Sequence, residues 1–177
     1  AIMNSLAVFN DPTVSVRSAD RLRAVADHAR HMLDIFAYGE TGSGGSTDTL
    51  GRNRLALAAS HCDVDLFSLL LRHAESHDIN ARCRHDLTLL HLAAMYGQQQ
   101  ICLKLIYAPN FLSHNAHDRA RRSALHYAAR EGLTDVCSAL VSHPLFTVAD
   151  LIDAYGRTAC ETAKHCGHTS TADLLAS

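Results

Sequence analysis

The chain has almost no surplus of charge: 16 Lys and Arg stand against 18 Asp and Glu, for a formal net charge of -2. That balance excludes a global electrostatic pull toward nucleic acid or an anionic membrane surface, so contact with either needs a local patch. Long apolar runs are missing too. No stretch approaches the ~20 residues that cross a bilayer as a helix, and Ile2 to Phe9 is too short and lacks the basic leader of a signal peptide. Spaced cysteine pairs are absent: Cys62, Cys83, Cys102, Cys137, Cys160 and Cys166 contain no C-x-x-C and lie within helix-like apolar patterns. With 47% apolar residues to fill a core, a chain of 177 residues needs no disulfide staples, so reduced thiols are expected. Together these absences point to a cytoplasmic or nuclear protein. The first residue is Ala and not Met, which leaves open that the chain is a piece of something longer.

What is present is a repeat. Leu90-His91-Leu92-Ala93-Ala94 and Leu125-His126-Tyr127-Ala128-Ala129 are offset by 35 residues, and the same shift carries Gly97 to Gly132 and to Gly167. Thr88, Ser123 and Thr158 fall in register, as do Leu70-Leu71, Leu105-Ile106 and Leu140-Val141, and Leu55-Ala56-Leu57-Ala58-Ala59 fills the same slot one step earlier. Four units follow, roughly 48–80, 81–115, 116–150 and 151–177. Each reads as a turn and two short helices. Thr88, Ser123 and Thr158 offer the hydroxyl of a helix N-cap, Thr158 with Glu161 makes a capping box, and the apolar residues that follow recur at helical spacing. Gly97, Gly132 and Gly167 stop the first helix where positive φ is wanted. Two such short helices cannot bury their apolar sides alone, so neighbouring units must stack.

Thr88-Leu-Leu-His91-Leu-Ala-Ala-Met-Tyr-Gly97 and Ser123-Ala-Leu-His126-Tyr-Ala-Ala-Arg-Glu-Gly132 resemble the ankyrin signature T-P-L-H-x-A-A-x-x-G, and Asp78-Ile-Asn-Ala81 resembles its connector D-V-N-A. The last unit is similar through Asp153-Ala-Tyr-Gly156-Arg-Thr158 and Gly167-His168. The departures are that no unit has the Pro, the first lacks the Thr and His, and the period exceeds the family's usual length. The surplus is expected in the loops around Pro109 and Pro144. The resemblance implies an all-α solenoid of about four helix-turn-helix repeats over residues 48–177.

The ends read differently. Leu22, Val25, Ala29, Met32, Leu33 and Phe36 make one stripe over residues 18–38, expected as an N-terminal capping helix, with a degraded fifth repeat as the alternative. With the Gly/Ser-rich connector after it, that segment occupies residues 1–47. Thr169, Ser170, Thr171 and Asp173 make the final helix more polar, as suits the other end of a stack.

Several motifs give way to plainer readings. Gly39-Glu-Thr-Gly-Ser-Gly44-Gly45-Ser46 misses the phosphate-binding G-x-x-x-x-G-K-[ST] at the lysine that reaches the phosphates, so a flexible connector is the better account. Among 13 histidines the best metal candidates are His165-Cys166-x-His168 and the pair His28 and His31, neither of which supplies four converging ligands. His91 and His126 can each bond the hydroxyl three residues earlier and so fix the turn. Cys102, Cys137 and Cys160 sit at apolar register positions and are expected in the core. No nucleophile, base and orienting acid recur together, so no catalytic residue, cofactor or metal is expected.

Function must then be read from exposed residues. In ankyrin stacks the turns before each first helix project as fingers and the first helices line a concave face. The resemblance places Arg52, Arg54, Arg82, Arg84, His85, His117, Arg119, Arg121, Arg122 and Arg157 on the fingers, against Asp48, Asp86, Asp118, Asp150 and Asp153. It places Leu92, Met95, Tyr96, Tyr127 and Arg130 on the concave face, as side chains of the kind that anchor interfaces. The expected partner-binding set is Arg84, His85, Leu92, Met95, Tyr96, Arg119, Arg121, Arg122, Tyr127, Arg130 and Arg157. The plainer alternative is that the arginines are solvated and partly paired with the aspartates. The function expected is a non-catalytic scaffold or adaptor module for a protein or peptide, acidic in character, with no nucleic-acid, membrane or small-molecule partner. The alternative is a regulatory or targeting domain of a larger enzyme.

Overall fold

The computed structural model describes residues 47–176, all within the unit that runs from Gly45 to Ser177. The expected capping helix, its two histidines and nearly all of the connector lie outside the described residues. Among the described residues the chain forms nine α-helices and no extended strand. They come in pairs: α1 (Arg54–Ser60) and α2 (Val64–His73), then the single turn α3 (Ser76–Ile79). There follow α4 (Leu89–Met95) and α5 (Gln99–Ile106), α6 (Ala124–Arg130) and α7 (Thr134–Val141), and α8 (Ala159–His165) and α9 (Thr169–Ala176). None of these helices is long and apolar enough to cross a membrane.

Capping residues set where the inner helices begin. Thr88, Ser123 and Thr158 stand at the N-caps of α4, α6 and α8 with extended backbone. In α8 the box is reciprocal: the Thr158 amide donates to Glu161 Oε2 at 2.8 Å, and the Glu161 amide donates to Thr158 Oγ1 at 3.2 Å. In the first unit, which lacks the threonine, Asn53 fills the slot and its Oδ1 accepts from the Ala56 amide at 3.0 Å. The three expected glycines do adopt positive φ, and in the first unit Cys62 takes that conformation with φ of 65°. Gly132 is required twice over, because a Cβ there would stand 2.6 Å from the ring of His168 in addition to facing φ of +70°.

Helices of seven or eight residues are marginal alone, and packing supplies what they lack. Leu55, Leu90 and Leu125 of successive inner helices are buried, with Ile101 and Leu105 of α5 and Val136 and Leu140 of α7 behind them. Each such side chain stabilises the fold by roughly 1.5–3 kcal/mol relative to exposure. Cys102 and Cys137 are buried in the same layer, and burial pushes both thiols up to about 12, while Cys160 is half-buried. Thr171, expected as part of a polar end, is buried and hydrogen-bonds Thr134 Oγ1 at 2.8 Å.

Two side-chain types join one repeat to the next. The Thr88 amide donates to His91 Nδ1 at 3.2 Å, so the ring hydrogen sits on Nε2, which donates to the carbonyl of Arg122 at 3.1 Å in the following unit. His126 repeats this with Ser123 and the carbonyl of Arg157. Asparagines hold the lengthened loops. Asn80 donates to the Asn110 carbonyl and accepts from the Leu112 amide, both at 2.8 Å. Asn115 does the same for Leu145 and Thr147 at 2.7 and 2.8 Å. The surplus residues near Pro109 and Pro144 are thus pinned by the preceding unit.

Candidate recognition ridge

Before each inner helix the chain makes a finger: Asp48–Arg52, Cys83–Leu87, Asp118–Arg122 and Asp153–Arg157. In all four the first amide donates to the fifth carbonyl, at 3.0, 2.8, 3.0 and 2.9 Å in turn, closing two legs around a tight tip. Neighbouring fingers are bonded as well. The Arg84 amide donates to the Leu50 carbonyl at 2.9 Å, that of Arg119 to His85 at 3.2 Å, and that of Ala154 to Ala120 at 2.8 Å. The fingers therefore form one hydrogen-bonded ridge, fixed before anything binds it.

Three fingers share a carboxylate clip. Asp118 Oδ1 accepts from the amides of Ala120 and Arg122 at 2.9 and 2.8 Å, and Oδ2 accepts from Arg122 Nη2 at 2.7 Å. Asp48 holds Leu50 and Arg52 alike, and Asp153 holds the amides of Tyr155 and Arg157. Burial alone would raise the Asp118 carboxyl, but its bonds from the Arg122 backbone and side chain and from Tyr127 outweigh that and hold it below the usual carboxylate range. The second finger has Cys83 and Leu87 where the others have Asp and Arg. There the Cys83 thiol meets the Leu87 carbonyl at 3.3 Å, and two non-glycine residues, His85 and Asp86, have positive φ.

The clips sort the arginines. Arg52, Arg122 and Arg157 lie 2.7, 2.7 and 3.9 Å from the aspartate of their own finger, and Arg119 reaches across to Asp86 at 3.2 Å. Arg130 turns to Glu131 at 2.9 Å. Among the described residues four of the expected finger arginines are exposed and make no ion pair: Arg84 and Arg121 within the five-residue fingers, and Arg54 and Arg82 beside them, at the start of α1 and just before the second finger. Arg121 also has φ of 58° at the slot filled by glycine in the first and fourth fingers, Gly51 and Gly156. Residues bulkier than Asn or Asp are rare in that conformation, and such outliers gather where function holds them.

Two members of the expected partner-binding set are misplaced as surface anchors. Leu92 and Tyr127, each four residues after its N-cap, are 3% exposed. One helical turn returns them to the side of the cap, beneath the finger, where they join the core. Tyr127 is a strut: its hydroxyl donates to Asp118 Oδ2 at 2.8 Å, its ring meets His91 edge-on at 5.8 Å, and the guanidinium groups of Arg122 and Arg130 lie 4.8 and 5.2 Å from its centre. Burial, then the Asp118 carboxylate, pushes its hydroxyl up to about 12. Of the others, Arg84, His85, Tyr96, Arg119 and Arg121 are exposed, and Met95, Arg122, Arg130 and Arg157 are half-buried. Unforeseen are the apolar tips Leu50 and Tyr155, 40% and 71% exposed, at equivalent positions of the first and last fingers. Their register was readable from the 35-residue shift, although neither belongs to the repeat signature.

The described residues bring together no group of three or more His, Cys, Asp or Glu side chains able to hold a metal ion. His165 and Cys166 are exposed, and His168 is bonded through Nε2 to the Arg130 carbonyl at 3.0 Å. A groove of about 350 Å³ lined by Leu71, Ile79, Lys104 and Pro109 has no paired nucleophile and base.

Comparison with known families accords with this geometry. A family model described as ankyrin repeats in three copies matches residues 22–115, and one for a single ankyrin repeat matches residues 121–153. No curated protein matches the chain.

Proposed function

Since the chain belongs to the ankyrin-repeat family, whose repeats are generally protein-interaction modules, we propose that its finger ridge and adjoining concave face hold a partner protein without acting on it chemically. The observation that carries this reading is the contrast within the ridge. Arg52, Arg119, Arg122 and Arg157 are neutralised by an aspartate, whereas Arg84 and Arg121 within the fingers, and Arg54 and Arg82 beside them, face solvent without an ion pair on a scaffold fixed by inter-finger hydrogen bonds. A preformed site loses little freedom on binding. Local positive charge on a nearly neutral chain favours an acidic partner and speeds encounter, and the exposed Tyr96 with Met95 beside it supplies contact area that retains it.

With a partner captured on the immobilised chain, Arg84→Glu with Arg121→Glu should slow association and flatten its salt dependence. Tyr96→Ala should instead speed dissociation, at a cost above ~1 kcal/mol if it is an anchor. Unchanged binding by all three substitutions would move recognition to the outer helices or the loops near Pro109 and Pro144.

A further inference from the structure

The ridge has a spacing and an order that specify more than an acidic partner. Each finger contributes two hydrogen-bonded legs, and its neighbour's leg is bonded to it in turn. Bonded extended segments lie about 4.8 Å apart, so equivalent tips recur about every 10 Å. An extended peptide advances about 3.3 Å per residue, so every third side chain meets the next finger. From first finger to last the tip position is Leu50, His85, Ala120 and Tyr155. The ends are exposed and apolar, and the open face at Tyr155 lies opposite Arg157, whose guanidinium is 5.5 Å from the ring centre. Within the five-residue fingers the cations without a carboxylate partner are Arg84 beside the second tip and Arg121 beside the third; Arg82 adds a further unpaired cation just before the second finger, and Arg54 lies beyond the first finger at the start of α1. Asp86, the acidic side chain between Arg84 and Arg121, is taken up by Arg119. Arg121 is held at positive φ where glycine serves the outer fingers, so the third finger retains a strained cation in place of an unstrained hydrogen.

We propose that the ridge takes an extended acidic segment lying across all four fingers, with apolar, acidic, acidic and apolar side chains at successive third positions. The segment's outer apolar residues rest on Leu50 and Tyr155, and its two carboxylates meet Arg84 and Arg121. This rests on the reading of the ridge as the recognition surface. A single-stranded nucleic acid would seek a row of stacking rings, and the tips offer one aromatic residue, an aliphatic one, a histidine and an alanine.

The test uses the full chain and a fluorescein-labelled peptide of the pattern Leu-x-x-Glu-x-x-Glu-x-x-Leu with neutral polar residues between, read by anisotropy at physiological salt. A second peptide of the same composition has its two Glu adjacent, and an oligouridine of similar length is the third probe. The spaced peptide should bind about tenfold tighter than the permuted one, a difference of about 1.4 kcal/mol. Arg84→Glu, Arg121→Gly and Tyr155→Ala should each weaken it, and Arg121→Gly should do so while raising the melting temperature, because glycine relieves the left-handed backbone. Equal binding of the two peptides overturns the spacing, and tighter binding of oligouridine that ignores Tyr155→Ala overturns the peptide class. If no peptide binds while a captured protein partner is still lost on Arg84→Glu with Arg121→Glu, the extended segment is wrong and the recognition surface stands. If that partner is retained, both fall.

Discussion

Acid should loosen the joint between the second and third repeats before it reaches the carboxylate clips. His91 is fully buried, its Nδ1 accepts the Thr88 amide, and its Nε2 hydrogen is given to the Arg122 carbonyl. A second ring hydrogen on Nδ1 would displace the Thr88 amide, which can only donate, and leave the Thr88 hydroxyl at 2.8 Å as its acceptor, with the charged ring still buried. Burial, the largest influence, pushes this histidine down to about 4 from an ordinary 6.5. The unfolded chain therefore takes up a proton between those two values that the folded chain refuses. Stability is complete above pH 6.5 and declines as pH falls from 6.5 toward about 4. The interval corresponds to about 3 kcal/mol, a large share of the roughly 5–15 kcal/mol that holds a typical domain. His126 is lowered for the same first reason, burial, and adds in the same direction. Asp48 and Asp118 are held below the ordinary carboxylate value of 3.8, so their contribution is intact above it and is lost only in stronger acid. Urea melts at several pH values between 7 and 4.5 should show unfolding accompanied by proton uptake, with the uptake smaller by about one proton in His91→Gln. Stability that stays flat over that range, or a slope unchanged in the variant, would refute the assignment of the ring hydrogen and the linkage built on it.

Further outcomes follow from single contacts. Leu125→Ala should cost ~2–5 kcal/mol in denaturant melts, since the side chain lies in the core shared between repeats, and a loss under half of ~1 kcal/mol would mean that the packing register is wrong. Tyr127→Phe should cost about 1 kcal/mol through the lost bond to Asp118, and Tyr127→Ala ~3–5 kcal/mol; a variant that melts like the wild type would return Tyr127 to the surface. Gly132→Ala should destabilise by more than ~1 kcal/mol, because the new Cβ meets both the His168 ring and a left-handed backbone, whereas Gly97→Ala, with open space around it, should cost less. Chelation should leave the melting temperature unchanged, and a drop restored by zinc would show that the histidines and cysteines bind metal.

The sequence made the repeat legible because its strongest constraints are local. Thr88, Ser123 and Thr158 satisfy amides three residues away, and Gly97, Gly132 and Gly167 answer one backbone angle, so a fixed shift exposes them. Asn53 and Cys62 hide the first unit's phase, since an amide side chain can cap as a hydroxyl does and a cysteine can adopt positive φ when packing holds it. What the shift could not give was which arginine is free. That depends on where the arginine stands on its finger: the fifth residue, as in Arg122, returns beside the aspartate four positions back, whereas Arg121 at the fourth place and Arg84 at the second make no ion pair. Tyr127 was misjudged for a related reason. A tyrosine one turn after a cap suits an exposed interface as well as a buried strut, and only the Asp118 carboxylate beneath the finger decides between them.

The claim that the finger ridge is the recognition surface is met most directly by amide hydrogen exchange of the chain, free and with its captured partner bound. The account predicts added protection at the tips 49–51, 84–86, 119–121 and 154–156, with the outer helices α2, α5 and α7 unaltered. Protection confined to those outer helices, with the four tips exchanging as in the free chain, would contradict it.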